Sequence, residues 1–85
     1  MTREKIKEEL RNIFLKVKKE KTEITIDEES LLDDDLDLDS LERVEVLFEI
    51  EQDFSIKVSD EEARGFIAVK DIIDMIQDKT KSGKE

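Results

Sequence analysis

The sequence contains no cysteine, histidine, tryptophan, tyrosine or proline, and it has only two glycines. Without cysteine the chain can form no disulfide and offers no side-chain thiol for chemistry. Without histidine it lacks the commonest general base and the commonest metal ligand, so neither a Ser-His nor a Cys-His pair can form. Catalysis by this chain alone is therefore not expected. Any reactivity must come from hydroxyls, carboxylates, lysines or a group attached later.

Long apolar runs are also missing. No segment approaches the roughly 18–20 apolar residues that a membrane span requires, and the N-terminal MTREKIKEEL lacks the apolar core of a signal peptide. We therefore expect a cytoplasmic protein. At 85 residues the chain makes a single domain, near the lower limit for a self-sufficient core.

What the sequence has in excess is negative charge, and this charge is concentrated in the middle. The net charge is −10, while residues 22–55 alone carry fourteen acidic residues and one arginine, a net charge of −13. Residues 1–21 carry a net charge of +4. An acidic field of this kind disfavours nucleic acid as a partner and favours a basic protein surface.

Apolar residues at helical spacing predict an all-α fold, a small four-helix bundle with three longer helices and one short one. The predicted helices span residues 3–19, 39–53, 59–65 and 69–79. One stripe in the first helix and another in the last should face the core; they are Ile6, Leu10, Ile13, Phe14 and Val17, and Val69, Ile72, Ile73 and Ile76.

Capping patterns support these helix starts. Thr2 is the expected N-cap of the first helix. Asp39 followed by Glu42 matches a capping box, with Ser40 as an alternative cap, and Ser59 with Glu62 forms a second box at the short helix.

Residues 20–38 show no helical stripe and are predicted to form a long loop. The segment TEITI alternates like a short strand, but no second strand is evident to pair with it. A loop of this length is uncommon in a small domain and is more often functional than idle. Its apolar side chains should attach it to the core; they are Ile24, Ile26, Leu31, Leu32, Leu36 and Leu38.

Alternating aspartates at positions 33, 35, 37 and 39 suggest a calcium loop, but the spacing excludes an EF-hand. Such a loop needs glycine at position 6 and glutamate at position 12. Counting from Asp33 these positions hold Leu38 and Val44, and counting from Asp35 they hold Ser40 and Val46. We assign no metal site.

The second helix should carry an acidic face. Glu42, Glu45, Glu49 and Asp53 lie within about 80° of each other on a helical wheel. Like charges four residues apart destabilise a helix by roughly 0.2–0.5 kcal/mol per pair. Such a face is better explained as a docking surface for basic partners than as a solvated helix side.

The apolar residues of the same helix cover more than one core-facing stripe requires. We expect Val44, Leu47 and Phe54 in the core and Leu41 as a partly exposed contact framed by acids; Phe48 is a second candidate for this contact, with a core position equally open. Ser40 stands in the first turn, where it is either a cap or an exposed, modifiable hydroxyl. A phosphate ester there would meet the positive end of the helix dipole.

The stretch LDLDSLERVEVLFEIEQDFSI, with its Asp39-Ser40-Leu41 core, resembles the acyl carrier proteins, the phosphopantetheine-carrying family. The resemblance continues through VSDEEA and VKDIIDMI, over nearly the whole chain. It implies 4′-phosphopantetheine esterified to Ser40 by a phosphopantetheinyl transferase that uses Mg²⁺, and acyl groups held as thioesters on the thiol of that arm. Asp39 would position the transferase's metal or cap the helix, and core residues between the helices would enclose part of the acyl chain.

The resemblance also implies a docking surface for synthases or ligases with basic patches. Glu42, Glu45, Phe48 and Glu51 match the family positions that meet such patches; with Leu41 and Glu49 they complete the predicted partner-binding set.

Four positions depart from the family pattern. Asp37 and Ser55 stand where glycine is frequent, Arg43 stands where small or neutral residues are common, and Ala68 replaces a common threonine cap before the last helix. These departures fit a specialised carrier at least as well as the housekeeping one, and the last one predicts a looser helix start.

The resulting prediction is a monomeric, non-catalytic carrier domain over residues 1–79 with a flexible tail at 80–85. It would present acyl groups to enzymes of fatty-acid, lipid or polyketide synthesis. Two alternatives stay open: an aminoacyl or D-alanyl carrier with the same attachment chemistry, and a small acidic interaction module in which Ser40 is only a cap.

Overall fold

Within residues 2–18 and 26–82, which the computed structural model describes, the regular structure consists of four helices. They are α1 (Arg3–Lys18), α2 (Ser40–Phe54), α3 (Asp60–Arg64) and α4 (Val69–Ser82). The all-α prediction is confirmed, with each helix start within one residue of the predicted position. The sequence prediction ended the last helix at residue 79, whereas helical backbone continues to Ser82. The polar residues at this end carry no apolar periodicity that could have extended the prediction.

The core lies where α1, α2 and α4 face each other. Every residue of the two predicted stripes in α1 and α4 is buried, so both stripes are confirmed. α2 contributes Val46, Ile50 and Phe54 to the same apolar cluster. Spacing by four residues places these three side chains on one side of the helix.

The core prediction for α2 was wrong for one residue. Val44 is 62% exposed, while Phe54 is buried and Leu47 packs partly against the core. The buried side of α2 is centred on Ile50, and Val44 lies about 120° from it around the helix axis. The wide apolar arc of α2 therefore contains a buried side and a separate exposed side.

The loop between α1 and α2 is attached to the core by its own apolar residues. Ile26, Leu32 and Leu38 are buried and Leu36 is partly buried, as predicted, whereas Leu31 is exposed. Ile24 and most of the TEITI segment lie outside the described residues. From residue 26 to residue 39 the backbone forms turns and a single isolated antiparallel bridge between Leu31 and Ala68. The sequence pattern gave no sign of this pairing, because one bridge leaves no alternation to detect.

The same loop completes the N-terminus of α4. The first backbone N–H groups of a helix have no partner within it. Here Val69 N–H donates to the Ser30 carbonyl and Lys70 N–H donates to the Glu28 carbonyl, each at 2.9 Å. The Leu32 N–H donates in return to the Ile67 carbonyl at 2.9 Å.

A side chain inside α4 bonds the backbone just before the helix. Asp71 Oδ2 accepts hydrogen bonds from the backbone N–H groups of Ile67 and Ala68, both at 2.9 Å. These two bonds, the one from Ala68 first, lower the pKa of Asp71 from its ordinary value. With the loop carbonyls on one side and Asp71 on the other, the start of α4 is well capped, and the expected loosening is not observed.

The two positions at which the family resemblance leads one to expect glycine both have left-handed backbone. Asp37 has φ 53° and Ser55 has φ 55°, and no other described non-glycine residue has positive φ. Glycine adopts this conformation without a steric cost, whereas other L-residues do not. Ser55 is also the C-cap of α2, where its N–H donates to the Glu51 carbonyl. Backbone geometry thus explains why glycine is frequent at these two positions.

Candidate functional site

The N-terminus of α2 is built by a reciprocal capping box. The Glu42 N–H donates to Asp39 Oδ1 at 2.8 Å, and the Asp39 N–H donates to Glu42 Oε1 at 3.1 Å. The predicted box is confirmed, and Asp39 rather than Ser40 is the cap. The capping role is therefore filled without the hydroxyl of Ser40.

Ser40 is the first residue of α2 and is exposed. Its hydroxyl has no hydrogen-bond partner among the described residues, and it lies at the helix end where the dipole and the free N–H groups favour an anion. The buried side chain of Leu38 fixes the chain just before this turn. The arrangement presents a fixed but accessible hydroxyl.

Lys18, the last residue of α1, is hydrogen-bonded to this turn. Lys18 Nζ donates to the carbonyl of Asp37 at 2.8 Å and to Glu42 Oε1 at 3.1 Å. Only 16% of the Lys18 side chain is exposed. No local pattern in the sequence could have revealed the partners of this lysine, which lie 19 and 24 residues away.

An apolar stripe runs along the exposed side of α2. Leu41 is 68% exposed, Val44 62% and Phe48 57%. The expected exposure of Leu41 is confirmed, and of the two positions left open for Phe48 the structure shows the exposed one. Val44 joins them because the three positions lie within about 60° on the helical wheel. Exposed apolar side chains grouped in this way are typical of an interaction surface.

The acidic residues of the predicted partner-binding set differ in the contacts that they make within the protein. Glu42 pairs with Lys18, and Glu49 pairs with Lys16 at 3.0 Å. Glu51 Oε2 accepts the Val58 N–H at 2.7 Å and so holds the segment after α2. Glu45 is exposed beside the apolar stripe. The acidic face therefore borders lysines of α1 that the sequence of α2 alone could not show.

A groove lies between α1 and α2 next to this stripe. It has a volume of about 430 Å³ and is lined by Lys16, Val17, Val44, Glu45, Phe48 and Glu49. Its walls combine apolar surface with carboxylates and one lysine, so it offers both kinds of contact to a protein partner.

A second, much smaller cavity lies among α2, the first loop and the segment after α3. Its volume is about 10 Å³, and its apolar lining includes Leu32, Leu38, Val46, Leu47, Phe66 and Ile72. Arg43 also lines it. The Arg43 guanidinium donates to Asp33 Oδ1 at 3.1 Å and to the Phe66 carbonyl at 2.9 Å.

One acidic residue of α3, Glu62, has structural partners. Glu62 completes the capping box of α3 with Ser59 and pairs with Lys79 at 3.2 Å. The backbone N–H of Ser59 first, and then Lys79, lower the pKa of Glu62. Within the described residues, no group of three or more acidic side chains has an arrangement that could hold a metal ion.

Comparison with known proteins shows the family to which this chain belongs. The family model described as the phosphopantetheine attachment site matches residues 8–79. An acyl carrier protein of Coprothermobacter proteolyticus is 45% identical over 78 residues, which cover 91% of this chain and 93% of the relative. The chain belongs to the acyl carrier protein family.

Two further relatives agree. An acyl carrier protein of Buchnera aphidicola (subspecies Schizaphis graminum) is 37% identical over 89% of this chain and 95% of its own length. One of Rhodococcus erythropolis is 39% identical over 78% of this chain and 70% of its own length. The protein is thus a non-catalytic acyl carrier with covalently attached 4′-phosphopantetheine. Among its described helices, none is both long and apolar enough to cross a membrane.

The α2 N-terminus fits this prosthetic group. When bound, 4′-phosphopantetheine supplies the thiol that a chain without cysteine lacks. Attachment requires an accessible hydroxyl with room for a phosphodiester, and the exposed Ser40 at the positive end of α2 has both properties. Asp39 uses one of its carboxylate oxygens, Oδ1, for the capping bond with the Glu42 N–H.

Proposed function

We propose that Ser40 is the attachment serine of this carrier. The observation that supports it best is the division of roles at the α2 N-terminus. Asp39 and Glu42 cap the helix, and the adjacent Ser40 hydroxyl is left exposed and unbonded among the described residues. In the loading step, the Ser40 oxygen forms a bond to the phosphorus next to pantetheine in coenzyme A. The diphosphate bond breaks, adenosine 3′,5′-bisphosphate leaves, and the Ser40 proton is released.

This loading is carried out by a phosphopantetheinyl transferase that uses Mg²⁺. The capping bonds hold Asp39 rigidly beside Ser40, which suits a carboxylate that positions the transferase's metal next to the hydroxyl. Lys18 adds rigidity because it joins the preceding carbonyl to Glu42.

The exposed side of α2 is the docking surface for the transferase and for the enzymes that load and use the acyl group. We assign the apolar contact to Leu41, Val44 and Phe48, and the charged contact to Glu45 first, with Glu42, Glu49 and Glu51 bordering it. Exposed acids next to apolar side chains suit a partner with a basic patch around an apolar depression. The net charge of −13 over residues 22–55 argues against nucleic acid in this role.

The cargo is an acyl group held as a thioester, passed among enzymes of fatty-acid, lipid or polyketide synthesis in the cytoplasm. The carrier works as a monomer. An aminoacyl group, D-alanine included, uses the same thiol, so the identity of the dedicated ligase decides between the two cargo classes.

Intact-mass analysis tests the attachment. The protein is incubated with coenzyme A, Mg²⁺ and a broad-specificity phosphopantetheinyl transferase. We expect the mass to increase by one phosphopantetheine group in the wild type and in Ser55→Gly, which lacks a different exposed hydroxyl, but not in Ser40→Ala. An unchanged wild-type mass, or an increase that survives Ser40→Ala, would overturn the proposal.

A further inference from the structure

The cavity among α2, the first loop and the segment after α3 is too small to hold an acyl chain as it stands. Its volume is about 10 Å³, which is close to the least room that a single water molecule needs by the same measure. A chain of several methylene groups enters only if the walls move apart.

Arg43 joins three of these walls. Its own helix, α2, is one wall. Its bond to Asp33 connects α2 to the loop residue next to the buried Leu32, and its bond to the Phe66 carbonyl connects α2 to the segment after α3. The guanidinium is partly buried, with 26% of the side chain exposed. Separating the walls therefore breaks the partly buried hydrogen bond from the guanidinium to the Phe66 carbonyl, which is stronger than a neutral bond, and the weaker pair with the exposed Asp33.

Arg43 also lies on the path from Ser40 to the cavity. It follows Ser40 by three positions in α2, and side chains at this spacing are neighbours on a helix surface. An alkyl chain that started at Ser40 and turned inward would cover the guanidinium and remove water from it. Covering a cation with hydrocarbon is unfavourable unless new partners replace the water.

We propose that Arg43 keeps this cavity closed to alkyl chains, so that the cargo suited to this carrier is a short acyl group that stays outside the helices. The proposal rests on attachment at Ser40, as argued above. It makes Arg43 a specificity-determining residue, although it is a position where the family resemblance leads one to expect a small or neutral side chain.

The experiment compares two cargo lengths in each variant. Wild type, Arg43→Met and Arg64→Met are loaded from butyryl- and octanoyl-coenzyme A, loading is verified by intact mass, and Tm is measured. Arg64 is an exposed arginine at the end of α3 that does not line the cavity, so its loss matches the charge change. Comparing the two cargoes within one variant removes the effect of the substitution itself on stability.

For the wild type and Arg64→Met we expect the butyryl and octanoyl forms to have the same Tm. For Arg43→Met we expect the octanoyl form to have a Tm about 4–8 °C higher, the shift expected when roughly one methylene group becomes buried. If Arg43→Met does not fold, Asp33→Asn, which removes one anchor of the guanidinium at an exposed site, should give a smaller rise of the same sign.

Two results would overturn the assignment of Arg43. One is an octanoyl form of the wild type that is stabilised as much as that of Arg43→Met, and the other is the absence of an octanoyl effect in Arg43→Met. A wild-type protein that gains no mass overturns the attachment at Ser40 and this proposal together. Normal loading combined with equal responses overturns this proposal alone.

Discussion

Lys18, at the C-terminal end of α1, pairs with Glu42 in the first turn of α2 at an Nζ–Oε1 distance of 3.1 Å. The same ammonium group donates to the Asp37 carbonyl. α1 is thereby bonded to the chain on both sides of Ser40. A helix that is distant in sequence helps to fix the position of the proposed attachment serine.

The first prediction concerns this lysine. Lys18→Met should lower the free energy of unfolding by about 1–2 kcal/mol, because a carbonyl and a partly buried carboxylate lose a charged donor that is only 16% exposed. Urea denaturation measures this change, and amide exchange at Asp39 and Ser40 should become faster. Lys16→Met is the matched control: Lys16 is 67% exposed in its pair with Glu49, and such surface pairs contribute little. Equal losses in the two variants would show that Lys18 has no special role.

The second prediction concerns docking. Glu45→Lys should weaken binding to a transferase or a synthase with a basic patch about tenfold, or ~1.4 kcal/mol, and should reduce the dependence of binding on salt. Isothermal titration calorimetry across a salt series measures both effects. Glu8→Lys makes the same charge change at an exposed position of α1 and should leave affinity nearly unchanged. Docking on α2 is contradicted if the two substitutions weaken binding equally.

The apolar part of the same surface yields a third prediction. Val44→Ser should weaken partner binding without lowering stability, because the side chain is exposed. Val46→Ser should destabilise the protein, because Val46 is 2% exposed and its hydroxyl would be buried. The two positions are separated by one residue, so the pair compares the two sides of α2 directly. Partner binding and thermal unfolding are measured for both variants. A loss of stability in Val44→Ser, or unchanged stability in Val46→Ser, would contradict the assignment.

The fourth prediction concerns the left-handed residues. Ser55→Gly should stabilise the protein by about 0.5–1 kcal/mol, since relief of the steric cost exceeds the added freedom of the unfolded chain. Asp37→Gly should give less, because aspartate tolerates this conformation better. Ser59→Gly, at a helix cap with φ −77°, should not stabilise. Chemical denaturation orders the three variants, and a loss of stability in Ser55→Gly would exclude strain at this position.

The fifth prediction concerns acid stability. Because the folded-state pKa of Asp71 is lowered, Asp71 stabilises the protein fully above its ordinary pKa of 3.8. This contribution is lost as the pH falls through the lower folded value. Asp71→Asn should therefore reduce the stability measured near neutral pH and flatten its decline in acid. Asp53→Asn makes the same substitution at an exposed position of α2 and serves as the control. Parallel curves for wild type and Asp71→Asn would contradict the assigned role.

The sequence predicted the features that depend on local spacing. The stripes of α1 and α4, the capping box of Asp39 and Glu42, and the exposure of Leu41 all follow from helical periodicity and capping chemistry. Val44 was misplaced because a wide apolar arc does not reveal which part of it meets the core. The side of α2 that packs with α1 and α4 in the core is the one that carries Ile50, so Val44 is exposed.

The remaining features depend on contacts between distant segments. Neither the pairing of Lys18 with Glu42 nor the two bonds of Arg43 leaves a periodic signal in the sequence. The capping of α4 was also misjudged, because only Ala68 was considered and Asp71 was not. Asp71, the third residue of α4, stabilises the start of the helix through its side chain.

The hydrogen bonds from Val69 and Lys70 to the loop carbonyls affect the dynamics of the whole carrier. They bond the loop before α2 to the first turn of α4, and we expect the two to open as one cooperative unit in hydrogen exchange. The amides of Leu32 and Val69 should therefore open together, with similar protection. A loop that leads directly to an exposed serine thus derives its rigidity from the last helix of the chain, and loosening that helix would disorder the approach to the serine as well.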